Sequence, residues 1–201
     1  MIRILAVIAL IFTYSFSSNF LELTQKERTD AVNYLKETQK NLEKELKGLS
    51  ENQLKWKPAD SVWSIAECVE HIALSEKNLF ELTMGSLKSE ADPSKRSQLK
   101  MDDESIKNLI TDRSFKVKTK EGFIPTGQFG DAWKTLDVFK ERRAKVIGYV
   151  KDTKDDLRNH FTELPFGLVD SYQMLLFLSG HTLRHTKQIT EVKATPGFPK
   201  Q

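Results

Sequence analysis

Apolar residues recur at helical spacing over four long stretches of the chain. Val32, Leu35, Leu42, Leu46 and Leu49 are separated by threes, fours and sevens, one buried face of a helix that opens at Thr24. Thr24 and Glu27 stand at capping-box spacing, and Gly48 marks the stop. A second helix opens at Ser64, again with a glutamate, Glu67, three residues on. Ile65, Cys68, Val69, Ile72, Leu79 and Phe80 form its face, and Gly85 is placed to end it. A third runs from Gln128 or Asp131 to about Lys154, with Trp133, Leu136, Phe139, Val146, Ile147 and Val150 as its stripe. DLRNHFTELPFG then breaks the pattern with Pro165 and Gly167. The fourth helix reaches from Val169 or Asp170 to about Lys193, where PGFP cannot continue it. Four long amphipathic helices without an alternating strand series predict an all-α fold, an up-down four-helix bundle.

The connections are unequal. SENQLKWKPADSVW joins the first two helices, but residues 86–125 lie between the second and third. A small helix around Asp103–Ile110 is expected there, and FKVKT (115–119) reads as extended. By alternation Phe115, Val117, Phe123 and Ile124 should dock on the bundle and leave Lys116, Lys118 and Lys120 in solvent. A connection this long calls for a reason. It is either a cover over a site or a decoration remote from one, and the pattern leaves both open.

The first twenty residues, MIRILAVIALIFTYSFSSNF, differ in kind. Arg3, the apolar run Ile4–Phe12 and the serines 15, 17 and 18 follow the order of a secretory signal, and the run is short for a membrane span. Residues 1–18 are therefore read as a signal peptide and 19–201 as the domain, with a secreted or periplasmic mature protein; an uncleaved anchor is the alternative. The domain is large enough to bury a core. At 39% apolar and 29% charged residues with net charge +3, the chain lacks the basic excess that nucleic acid or a membrane surface would require. One cysteine, Cys68, excludes an internal disulfide. Expected partners are a small-molecule substrate and, in assembly, a second copy as a homodimer. Nucleic acid and a stable membrane anchor after signal removal are not expected.

Candidate chemistry lies in the histidines. His181 and His185 are one helical turn apart, so their side chains share a face. Alone, H-x-x-x-H is a weak signal for a metal. Here it ends an apolar run, YQMLLFLSG, where two close neutral imidazoles would lose hydration and need partners. Gly180 would let a neighbouring backbone approach. A divalent ion satisfies both rings, and His71, near the apolar stripe of the second helix, is the best third ligand. Three neutral nitrogens leave a coordination position open, which is the catalytic rather than the structural pattern. Glu67, one turn before His71, either orients that ring or caps the helix with Ser64. Gln188 is either a polar contact of His185 or a surface residue. Arg184 should point away from the ion into a salt bridge. Cys68 reads as a small buried hydrophobe, His160 as a solvated loop residue, and Trp56, Trp63 and Trp133 as core and connector packing.

WKPADSVWSIAECVEHI followed far downstream by GHTLRHTKQI resembles the DinB superfamily, the DinB/YfiT-like metalloproteins. The family pattern, a tryptophan–proline connector, W-S-x-x-E-x-x-x-H and then H-x-x-x-H, falls on Trp56 and Pro58, on Trp63, Ser64, Glu67 and His71, and on His181 and His185. The resemblance implies a four-helix bundle that binds a divalent metal, zinc or nickel, through three histidines. It also implies that some relatives are thiol-dependent S-transferases or isomerases. The export signal sets this chain apart from cytoplasmic members, since the reduced thiol pool is intracellular. Three readings follow: a metal-dependent hydrolase or group transferase, a bundle that binds metal or a small ligand without catalysis, and a bundle whose histidines are incidental. No catalytic acid or base stands at a diagnostic spacing.

Overall fold

The computed structural model describes residues 21–200. The expected signal peptide lies outside them. Among the described residues the α-helices are α1 (Gln25–Leu46), α2 (Glu51–Lys55), α3 (Ile65–Ser86), α4 (Asp103–Thr111), α5 (Ala132–Asp152) and α6 (Ser171–Ala194), with short 3-10 turns at Pro93–Gln98 and Glu121–Phe123. Local chemistry sets their starts. Thr24, Ser64 and Asp170 each form a reciprocal capping box with the residue three positions on, and Asp131 caps α5 through the Lys134 amide. α1 ends before Gly48, whose φ of 79° suits a residue without a side chain. None of the described helices is long and apolar enough to cross a membrane.

α1, α3, α5 and α6 form the four-helix bundle. α3 and α1 each pack on both α5 and α6 and face one another across the diagonal. Contacts along the helices fix their directions. Tyr172 meets Glu27 at the starts of α6 and α1, and Lys193 meets Glu45 at their ends, so this pair is parallel. α3 and α5 are also parallel, since Glu76 meets Arg143 and, further along both, Phe80 meets Tyr149. Arg28 at the start of α1 reaches Val150 near the end of α5, and Ser86 at the end of α3 reaches Ser171 at the start of α6. The helices therefore run up, down, down, up rather than in simple alternation. This gives the long connection a topological reason. A 22-residue helix is about 33 Å long, and a chain leaving the end of α3 must return that distance before α5 can start parallel to it.

The core has two apolar layers. One holds Leu35, Val146, Val150, Met174 and Leu178; the other holds Leu42, Leu46, Ile72, Phe139 and Ile189. Between them lies Arg143 of α5, fully buried. Its Nε and Nη2 donate to the two carboxylate oxygens of Glu76 on α3, at 2.6 and 2.7 Å. Its Nη1 donates to Leu35 O and Thr38 Oγ1 on α1, at 2.6 and 2.8 Å, and Nη2 also donates to Thr182 Oγ1 on α6 at 2.8 Å. One guanidinium thus bonds to all three other bundle helices. Arg158, just after α5, plays a comparable part at one end of the bundle, binding Glu27, Asp103 and Asp170.

Several details depart from the sequence pattern. The short α2 lies inside the tryptophan connector, and the segment before α6 contains a hairpin, β1 (Phe161–Leu164) with β2 (Gly167–Asp170), antiparallel with Phe161 opposite Asp170. Gly167, at φ 127°, follows the two-residue turn. Trp133 is 38% exposed rather than core, because the buried face of α5 runs through its neighbours Ala132, Thr135, Leu136 and Phe139 and leaves position 133 on the outer side of the same turn. In the long connection Phe115, Val117 and Ile124 are exposed, and FKVKT pairs with no strand; only Phe123 of the four expected anchors packs on the core. Alternation fails there because an unpaired segment has no sheet to impose it.

Replacing Arg143 by Met should leave the Glu76 carboxylate buried without its partner and cost about 3–5 kcal/mol. Adding Glu76→Leu should recover much of that loss. Urea unfolding of the two variants measures both effects.

Candidate metal centre

α3 and α6 run antiparallel with His71 opposite the H-x-x-x-H turn. The ring nitrogens available from His71, His181 and His185 all lie within 4.8 Å of one another, and His71 Nε2 is 3.3 Å from His181 Nε2. His71 and His185 are buried; His181 is partly exposed. The Trp63 ring covers the group, 4.7 Å from the His71 ring and 6.1 Å from that of His185.

Hydrogen bonds select the tautomers. His71 Nδ1 donates to Phe123 O at 2.6 Å, and His185 Nδ1 donates to Gln188 Oε1 at 2.9 Å. An oxygen acceptor at Nδ1 leaves the Nε2 lone pair of a neutral ring free, so both rings present a lone pair to the same point. Burial keeps them neutral. Desolvation lowers the His71 pKa to about 4, against the opposing pull of the Phe123 carbonyl. His181 and His185 are driven well below the ordinary histidine range by desolvation first, then by their neighbouring rings. Three close, neutral, unprotonated nitrogens with partners fixed behind two of them are the donor set of a divalent metal ion.

The orienting partners are only partly those the sequence offered. Glu67 closes the capping box with Ser64 at 2.7 Å and pairs with Lys57 at 3.0 Å, so the cap is its contact and Phe123 O is the acceptor behind His71. Gln188 does contact His185, and it also accepts from Arg113, which forks onto Glu191 at 2.6 Å through two nitrogens. Arg184 points away from the histidines, but into backbone rather than a salt bridge: it donates to Ile110 O, Asp112 O and Phe115 O. Gly180 makes room for a side chain, not a backbone. A methyl group there would stand 2.4 Å from Ile110 Cγ2 of α4. His160 is half-buried at the other end of the bundle and bridges Asp156 O and Ser89 O rather than resting in solvent. Cys68 is buried, and desolvation pushes its thiol up to about 12.

The long connection is thus bound at the site. Besides Phe123 and Arg113, Asn78 of α3 holds Gly122 O at 2.7 Å, and the buried Glu70 carboxylate accepts from the amides of Gly127 and Gln128 at 2.7 and 3.0 Å. The sequence pattern marked Phe123 only as an apolar anchor and did not mark Glu70. An acidic residue beside His71 within an apolar run was the available signal for Glu70; Phe123 acts through its backbone and leaves none.

The fold and site define a four-helix-bundle protein with a three-histidine centre. A sequence model described as DinB superfamily matches residues 34–189, and the chain belongs to that superfamily. It is 28% identical over 152 residues to YuaE of Bacillus subtilis (strain 168), an uncharacterized protein, covering 74% of this chain and 88% of that one. Its fold is similar to that of YfiT from Bacillus subtilis, with a TM-score of 0.58 at 17% identity over 88% of this chain and 91% of that one. YfiT is described as a probable metal-dependent hydrolase with an unusual four-helix bundle topology.

Two outcomes follow from this geometry. Gln188→Leu should weaken divalent-metal binding about 10–100-fold while the fold persists, as loss of a partner behind a ligating histidine does elsewhere; competition with a chelating indicator reads it. In the metal-free protein, His71 titrates near 4 when folded and near 6.5 when unfolded. Between those values the unfolded chain binds more protons, so stability is fully present above pH 6.5 and falls as pH drops toward 4. Thermal unfolding of wild type and His71→Phe across pH 4–7 should show a shallower slope in the variant.

Proposed function

We propose that the protein is an exported metal-dependent hydrolase acting on a small molecule, with His71, His181 and His185 holding a zinc or nickel ion. The observation that carries this reading is the convergence of three neutral ring nitrogens within 4.8 Å. The description of YfiT as a probable metal-dependent hydrolase supports it through the shared fold. A divalent ion there would supply Lewis-acid activation of water or of a substrate oxygen. The chain's own residues do the rest. Phe123 O and Gln188 hold two rings in the ligating tautomer, and Trp63 and the connection shield the buried side from bulk water. The apolar run and serine tail at the N-terminus support export.

Group transfer, including S-transfer, is the second reading, because the same open position would activate a thiol. The buried Cys68, with its pKa pushed up to about 12, is not suited to supply that thiol from within the protein.

Protein prepared without a histidine tag should retain about one equivalent of zinc or nickel after dialysis. Its hydrolysis of a panel of small esters and amides should rise in step with metal added back to chelator-treated enzyme. Failure to retain any metal would remove the reading. Retention with activity only toward thiol acceptors would move it to transfer.

A further inference from the structure

Ser75 is 2% exposed, and its Oγ has no hydrogen-bond partner among the described residues. A buried hydroxyl in that condition costs free energy and calls for an explanation. Its place offers one. Ser75 is one turn beyond His71, so the two share a stripe of α3. That stripe faces α6, as the His71–His181 contact and the Ser86–Ser171 hydrogen bond of 2.8 Å show on either side of it. The connection spans the same stretch, held by His71 at Phe123 O and by Asn78 at Gly122 O. Ser75 therefore lies one turn from His71 on the side of α3 that meets α6, buried and with a donor to spare.

The charges around the histidines indicate what that donor would meet. The rings are neutral, and the charged groups acting on them are Arg184 on His181 and Arg113 on His185. The carboxylates on the same helices are already engaged: Glu191 by Arg113, Glu67 by Lys57 and the Ser64 amide, and the buried Glu70 by the amides of Gly127 and Gln128. A divalent ion in this setting gains from an anionic partner.

We propose that Ser75 is the hydrogen-bond donor to an oxyanion, a carboxylate or the anion developed from an acyl group, bound beside the three histidines. The hydroxyl and the ion would then hold one ligand at two points, which selects a carboxylate over a single-atom anion. This rests on the metal-dependent reading above and narrows its substrate class to carboxylic acid derivatives.

The test uses the full domain loaded with cobalt, whose visible absorption reports ligands entering the site. Acetate and chloride are titrated into wild type, Ser75→Ala and Ser75→Cys; the second variant keeps the volume should alanine leave a gap. Loss of one hydrogen bond to a charged acceptor should weaken acetate binding about tenfold to hundredfold and leave chloride little changed. Cobalt affinity should stay within about twofold, and the metal-free Ser75→Ala protein should unfold no more easily than wild type, since it loses no internal hydrogen bond. Equal acetate affinity in all three proteins overturns the proposal while leaving the metal site standing. Equal weakening of acetate and chloride, or a less stable metal-free variant, assigns Ser75 a packing role and also overturns it. Absence of cobalt binding in wild type overturns the metal reading itself.

Discussion

The buried guanidinium of Arg143 ties the bundle together. Taking such a charge out of water is costly, and only a complete set of partners offsets it. Here Glu76, Leu35 O, Thr38 and Thr182 supply that set from three different helices. Apolar contact alone tolerates sliding, because leucines pack adequately in several registers. A forked guanidinium does not, because a helical slip of one turn would strip several bonds at once. The partner on α6 is Thr182, next to His181, and the partner on α3 is Glu76, five residues beyond His71. The polar layer that sets the registry of α3 against α6 is therefore adjacent to the layer in which the histidines meet.

The second constraint is direction. Because α3 and α5 run parallel, the chain between them must travel back along the bundle. That obligatory return path has acquired chemistry. Phe123 O holds the His71 ring, Arg113 grips Gln188 and Glu191, and Arg184 gathers three carbonyls of the same segment. Gly180 lets α4, also part of that path, lie close to α6 one residue before His181. The connection is thus fastened to the two helices that carry the histidines.

Much of the fold was legible locally. Capping boxes at Thr24 and Ser64 and apolar spacing at 3.6 residues marked the four long helices closely, with the starts at Asp131 and Asp170 each one of two offered, since both signals act within a turn or two of chain. The short helix α2 and the β1–β2 hairpin escaped because segments of four or five residues carry too little periodicity. Trp133 and the apolar residues of the connection were misplaced for a related reason. Hydrophobicity states a preference for burial but not whether the fold has room to grant it.

The centre divides along the same line. The sequence by itself determined that His181 and His185 share a face, because helical geometry alone dictates it, and that His71 stood on a helix able to oppose them. Which groups stand behind the rings was decided only in three dimensions. Glu67 was at the right spacing and yet serves the helix cap, since the otherwise unpaired Ser64 amide and the Lys57 ammonium take its two oxygens. The acceptor for His71 is a main-chain carbonyl, a group every residue carries and no side-chain pattern reveals. Helix direction and the long return of the connection, which bring that carbonyl to His71, are properties of the packed chain and of no segment within it.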